Sequence, residues 1–458
     1  MTIVKNKDAT PFPFNNAMTK EYDVVIVGAG PAGLMAAKTA GESGLKIALL
    51  ERKTDITLVR RTDAGIVALN EYIYGQIVTF NRKTRRLIFP VSGFSLHYEG
   101  PWNDDRYGFH FYSPAGQRFM VGDWSELKKD PVKNSRGVAL SKGLLLEGML
   151  KEAQSLGIDY FPDTNVRGVT TGDDGVLVET NKGSFEGRFV VAADGVNSRV
   201  VRSLGLNRKR DFQSTSRYVT WVMTGVNPPD VEGLIFVMTM YGAFSISQVC
   251  QKDHYHVNAF SADHTVDLES LLERFTRDDA VFSPWFEKAK RLGETESCVV
   301  NIWTAIEKPF CKNVILVGDA CWSMQFSNLS ALTAGYQLGH ALTRAFVDGN
   351  YTEEGVAQYL DWYDTQCYRP YGQQSVGGGS LTKYLTAHEL DYLASLVPEP
   401  VPPTASFLKV FNIILETYHP FASQIEREHP AILEKFKQMG ADMEKNLEAI
   451  RKSGFPNK

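Results

Sequence analysis

The chain runs to 458 residues, long enough for two cores of ordinary size. Hydrophobic residues make up 43% and charged residues 22%, and the formal net charge of -4 offers no basic surface to nucleic acid. The five cysteines, Cys250, Cys298, Cys311, Cys321 and Cys367, are odd in number and never in C-x-x-C spacing, so neither a disulfide framework nor a zinc site is implied; reduced thiols and a cytoplasmic address fit this usage.

Residues 1–20 read as a loose leader, since polar residues stand where a signal peptide needs an apolar core, and no later stretch approaches membrane-spanning length. Residues 22–53, YDVVIVGAGPAGLMAAKTAGESGLKIALLERK, read as strand, glycine turn, helix, strand and acid. Gly28, Gly30 and Gly33 have G-x-G-x-x-G spacing, with Ala32 between. The first permits a tight turn, the second lets backbone approach a pyrophosphate, and the third lets the helix lie close on the sheet. Glu51 ends the second strand, where its carboxylate suits a ribose 2′-hydroxyl; Arg52 and Lys53 beside it blur that preference. A dinucleotide site is the expectation. Arg60 and Arg61 follow, facing either the ligand's oxygens or solvent.

From Thr79 to Gly122 the short runs RLIFPV, FSLHY, YGFHFYS and QRFMVG predict an inserted antiparallel sheet. Residues 142–157, KGLLLEGMLKEAQSLG, carry apolar residues at helical spacing and stop at a glycine. FVVAADGVNSRVVRSLGL then gives a buried strand turned by Asp194-Gly195 toward a helix, and Asp194 is placed at a strand's carboxyl end for the same ligand. Runs between Arg217 and Phe260 predict a second antiparallel sheet rich in aromatics and methionine, the wall of a substrate chamber. His254 and His256 alternate there; without a third ligand they read as polar surface residues, and no metal is expected. NVILVGDACW brings another buried strand, topped by Gly318 and Asp319, before a long helix. Beyond residue 352 the pattern is mostly helical, broken by GQQSVGGGS and PEPVPP. Its most apolar patch, FLKVFNIIL at 407–415, has two readings: packing on the sheet domain, or a peripheral membrane contact.

GAGPAG with Glu51, ADGVNSRVVRSLGL and VILVGDA stand in that order, and together they are far more specific than any one. The chain resembles the glutathione-reductase-type FAD enzymes of the para-hydroxybenzoate hydroxylase group, and within them is most similar to the geranylgeranyl reductase family, over most of the first 350 residues. The resemblance implies an α/β fold: a Rossmann-like FAD-binding domain (21–78, 130–210 and 298–350), an inserted antiparallel β-sheet substrate domain (79–129 and 211–297) and a helical C-terminal region (351–458). It implies non-covalent FAD, held by Gly28, Gly30, Ala32, Gly33, Glu51, Arg52 and Arg61, by Asp194-Gly195, and by Gly318 with Asp319 on the ribityl chain. Lys142 stands where the family places an arginine at the cofactor phosphates.

The departures are specific. Where the family has Lys-Pro-Cys-Gly, this chain has Arg61-Thr62-Asp63-Ala64, so a carboxylate replaces the cysteine. The family's glycine-rich loop beside the isoalloxazine becomes Phe326 to Ala331, so Leu329, Ser330 and Ala331 are expected to border and crowd the cofactor. The Tyr-x-Trp-x-Phe-Pro wall is matched only loosely, by Tyr241 and Phe244. Trp322 and Cys321 either line the chamber or pack in the core. The activity implied is an FAD-dependent reductase or dehydrogenase acting on a carbon-carbon double bond of an apolar small molecule, with an external electron carrier left open among NAD(P)H, a ferredoxin and others. Two alternatives stay open: an aromatic monooxygenase using NAD(P)H and O2, and a non-catalytic or electron-relay flavoprotein.

Overall fold

The structure, a computed structural model, describes residues 20–59, 63, 65–104, 106–172, 175–230, 232–322, 327–371, 384–404 and 407–453. Strand β1 (Lys20–Val27) leads through a glycine turn into helix α1 (Pro31–Gly41) and strand β2 (Ile47–Leu50). Helix α2 (Lys142–Ser155), strands β3 (Gly183–Ala192) and β4 (Val314–Leu316) and helix α3 (Asn328–Val347) complete the framework of the first domain. Its sheet has the order Asp159–Phe161, β2, β1, β3, Val176–Thr180, Val166–Thr171, with β4 added in parallel to the carboxyl half of β3.

These strands are continuous apolar runs because both of their faces are covered. Val24, Ile26, Leu49 and Val191 point to a core built with α1, α2 and α3, while Val25, Val27, Leu50 and Ala192 point to one that includes Val200, Trp322, Tyr363 and Cys367. Residues 351–371 thus belong to this domain's packing, and the Tyr359 hydroxyl donates to the Leu316 carbonyl at 2.7 Å.

The second sheet has seven strands, in the order Arg118–Met120, Phe109–Tyr112, Leu234–Met238, Ala243–Gln248, Tyr255–Ser261, Phe212–Thr224, Lys290–Trp303. Its last strand runs through residue 303, beyond the expected domain boundary at 297. One face is an apolar core against the helix Leu268–Arg277, with Phe244 stacked on Phe275 at 4.0 Å between ring centroids. On the opposite face, Phe109, Leu234, Phe111 and Phe236 are covered by Ala394, Val410 and Ile414 of the C-terminal helices. Within the 407–415 stretch Val410 and Ile414 pack on the sheet, as the first of its two readings has it, while Leu415 is exposed. Among the described residues no helix is long and apolar enough to cross a membrane.

The inserted strands do not all join this sheet. Thr79–Asn81, Arg86–Phe89 and Phe94–His97 pair among themselves, and Phe80, Leu87, Phe89 and Leu96 alternate into the first domain's core.

Candidate functional site

Register fixes where the three sequence motifs meet. Leu50, Val27, Ala192 and Leu316 stand side by side across β2, β1, β3 and β4, so Glu51, the glycine turn, Asp194-Gly195 and Gly318-Asp319 all emerge at one carboxyl edge. Parallel sheets place ligands at such an edge.

The three fingerprint glycines differ in their surroundings. Gly28, at φ 103°, lies against the Ala193 backbone, and a methyl built on Gly33 would overlap the Gly28 carbonyl oxygen. Around Gly30 a methyl would meet nothing within 4 Å, and Gly30 caps α1 with no side-chain hydrogen bond to its first amides. Two glycines close the turn while the third leaves a cradle at a helix N-terminus, which is the geometry a pyrophosphate takes. Glu51 is buried, its Oε2 accepting from the Ala29 N–H and its Oε1 from the Lys53 N–H, both at 2.9 Å, so it also braces the turn. Arg52 is exposed. The Asp194 carboxylate accepts from Ser198 Oγ at 2.5 Å and from the backbone of Arg199 and Val200 at 2.7 and 3.2 Å. Burial pushes its pKa up against these bonds, and its visible work is to shape the turn that leaves Gly195 open at φ 81°. Gly318, at φ 64°, packs on Ala32, with half-buried Asp319 next along the edge.

The second sheet leans over this edge. Asn197 of the Asp194 turn donates to the Val299 carbonyl at 2.8 Å and accepts from Asn301 at 2.9 Å. On the sheet face that carries Thr220, the backbone of Asp63 hydrogen-bonds to the His256 ring. This face is polar: Thr220 Oγ1 donates to Asn258 Oδ1 at 2.6 Å, and Asn258 Nδ2 donates to Ser245 Oγ at 3.0 Å. Ser247 pairs in register with His256, and Glu296 with Thr220. Opposite lies Lys142, whose ammonium donates to Asp63 Oδ2 at 2.5 Å, while Asp63 Oδ1 accepts from the Gly65 N–H at 2.9 Å. Lys142 opens α2 as expected, but its charge is spent on the carboxylate that replaces the family cysteine.

Several expected positions lie elsewhere. Tyr241 donates to Asp279 at 2.6 Å with Arg274 over its ring, and fully buried Phe244 is stacked in the core, so both sit on the sheet face away from the chamber; alternation along the strand sends Ala243 and Ser245 inward instead. Trp322 is 1% exposed and packs beneath the edge with Tyr363 and Cys367. Leu329 does not crowd the chamber: Ser327 caps α3 by accepting from the Leu329 N–H at 3.1 Å, and the helix turns Leu329 into the core. Ser330 is buried and hydrogen-bonds to Tyr74, and Ala331 packs on the first core, so neither side chain is turned to the cofactor edge. Arg60 and Arg61 lie outside the described residues. His256 is covered, against the Asp63 backbone, rather than a surface residue, a placement that Ser245, Ser247, His256 and Asn258 signalled by putting polar side chains on alternate positions of strands whose other face is apolar.

A sequence profile described as "FAD binding domain" matches residues 130–376, and one described as "Pyridine nucleotide-disulphide oxidoreductase" matches residues 22–66. The first spans more than half of the chain. The chain belongs to the FAD-binding-domain family. It is similar to digeranylgeranylglycerophospholipid reductases, at 25% identity to that of Methanococcus vannielii over 92% of this chain and 99% of that protein, and at 28% to that of Methanocella arvoryzae over 75% and 82%. Among solved structures, a geranylgeranyl bacteriochlorophyll reductase-like protein from Thermoplasma acidophilum aligns with a TM-score of 0.65 at 17% identity, over 92% of this chain and all of that one. A p-nitrophenol 4-monooxygenase from Pseudomonas putida shares the fold at a TM-score of 0.57 and 17% identity, over 92% and 99%. The chain is an FAD-dependent oxidoreductase similar to geranylgeranyl reductases, the likeness its three motifs implied.

Proposed function

We propose that this oxidoreductase reduces a carbon-carbon double bond of an apolar, isoprenoid-like substrate. One observation carries the reading: the three cofactor motifs meet at one sheet edge, in a chain whose relative across 92% of its length is named a reductase of a prenylated phospholipid. In this reading the Gly30 cradle and the first amides of α1 hold the pyrophosphate, Glu51 the adenosine ribose and Asp319 the ribityl hydroxyls. Bound FAD supplies two-electron, hydride-transferring chemistry at its N5. The chain orients the alkene and keeps water from it. Electrons come from an external donor.

The test is to reduce the holoenzyme chemically without oxygen and to add, separately, a digeranylgeranyl glycerophospholipid, a short aromatic enoyl compound and p-nitrophenol with O2. Return of the oxidised flavin spectrum with the prenyl lipid supports the proposal. Reoxidation by O2 coupled to hydroxylation, with none by any alkene, would replace it with the monooxygenase reading.

A further inference from the structure

We propose that Asn197 is a positioning residue that ties the seating of FAD to the seating of the second sheet: its clasp on the sheet's edge strand reaches full strength only when the cofactor holds the Asp194-Gly195 turn. The inference rests on the cofactor reading of that turn and is independent of which substrate is reduced.

The turn is built so that its two sides move together. Asp194 accepts from Ser198 Oγ at 2.5 Å and from the Arg199 N–H at 2.7 Å, which closes Gly195, Val196 and Asn197 into a short loop. Ser198 is buried and also accepts from the Val201 N–H at 3.0 Å, so the loop is anchored to the helix Arg199–Ser203. On one side Gly195, at φ 81°, faces space in which a methyl would meet nothing within 4 Å. On the other, Asn197 is spent on protein: its Nδ2 donates to the Val299 carbonyl at 2.8 Å and its Oδ1 accepts from Asn301 Nδ2 at 2.9 Å. A loop this short passes a shift at Gly195 on to Asn197.

The receiving strand suits the task. Lys290–Trp303 is the last strand of its sheet, so no further strand pairs with its outer side, where Asn197 satisfies the Val299 carbonyl. Thr215, in register with Asn301 on the neighbouring strand, donates from Oγ1 to Asn301 Oδ1 at 2.9 Å. The donors thus run one way, from Thr215 to Asn301 to Asn197 to Val299, and each bond in such a chain polarises the next. Below the clasp the same two strands are fixed to the first domain without Asn197. The Asp211 N–H donates to Thr304 Oγ1 and the Thr304 N–H to the Asp211 carbonyl, both at 2.9 Å. Buried Arg210 donates to the Cys321 carbonyl at 3.3 Å, its guanidinium 5.1 Å from the centre of the Trp303 ring. With this root held, Asn197 sets where the edge strand lies above it and not whether the sheet is attached.

The test uses the full chain with Asn197→Ala, Asn301→Ala and both together; Asn197 is exposed and Asn301 half-buried, so truncation leaves no core cavity. A clasp strengthened by FAD strengthens FAD binding in return. In flavin-fluorescence titrations each single variant should bind FAD about three- to tenfold more weakly, the net worth of a hydrogen bond, and the double variant no more weakly than Asn197→Ala, because the two residues share one bond. In hydrogen–deuterium exchange, FAD should protect residues 290–303 of the wild type as well as the turn; in FAD-saturated Asn301→Ala the turn should stay protected and the strand should not. A merely structural role would lower stability alike with and without FAD and leave affinity unmoved. FAD affinity of Asn301→Ala within twofold of wild type, additive losses in the double variant, or strand protection that survives both substitutions would overturn the proposal. A wild-type chain that binds no FAD would overturn the cofactor reading and this inference with it, whereas tight FAD binding with an indifferent Asn301→Ala overturns the inference alone.

Discussion

Replacing Gly30 by alanine separates a glycine kept for a ligand from one kept for the fold. Gly30 sits at φ -74° and ψ -179°, which alanine adopts without strain, and the new methyl would meet no protein atom within 4 Å. The apoprotein should therefore be as stable as wild type or gain about 0.4 to 1 kcal/mol through the unfolded chain. FAD is another matter, because the methyl fills the space through which backbone amides reach phosphate. Losing one such charge-assisted hydrogen bond costs about 1.5 to 3 kcal/mol, which is roughly ten- to a hundredfold in affinity. Gly33→Ala should do the reverse work, since its methyl overlaps the Gly28 carbonyl and forces α1 off the sheet, with an overpacking cost of about 1 to 3 kcal/mol or more. Apoprotein melting by circular dichroism and FAD titration by flavin fluorescence give the two readouts. Wild-type FAD affinity in Gly30→Ala would refute the assignment of this turn to the pyrophosphate.

Asp319→Ala should weaken FAD binding about ten- to a hundredfold through lost hydrogen bonds to ribityl hydroxyls, with the same titration as the check. Phe244→Ala should cost on the order of 3 to 5 kcal/mol in urea unfolding by opening the Phe275 stack, while leaving the substrate KM of the surviving folded enzyme unchanged. His110 is fully buried against Trp124, donates from Nε2 to the Glu232 carbonyl at 3.1 Å, and has Asp230 and Arg118 nearby; desolvation lowers its pKa from 6.5 to about 4. The folded state thus prefers neutral His110, so stability is complete above pH 6.5 and declines as pH falls toward 4, by on the order of 3 kcal/mol. Urea titrations across that window should show the decline, and His110→Gln should flatten it.

The cofactor edge was legible because it is made of local patterns: a glycine turn after a buried strand, then an acid at the end of the next, each readable within a few residues. What the sequence does not encode locally is which face of a strand meets which neighbour. Tyr241 and Phe244 looked like a chamber wall because they are aromatic, and the helix Leu268–Arg277 claims them instead. Asp63 stood out as a replacement for a cysteine, but its pairing with Lys142, 79 residues away, and its neighbours His256 and Glu296 depend on two sheets closing over one edge. The bulk at Leu329 and Ser330 misled for the same reason: a helix cap at Ser327 rotates both away from the chamber.

The account rests on double-bond reduction, and the product is its most direct witness. After anaerobic turnover of the reduced holoenzyme with a digeranylgeranyl glycerophospholipid, mass spectrometry should find two hydrogens gained for each double bond lost and no oxygen added. A lipid recovered unchanged while the reduced flavin persists, or a product carrying oxygen when air is admitted, would contradict it.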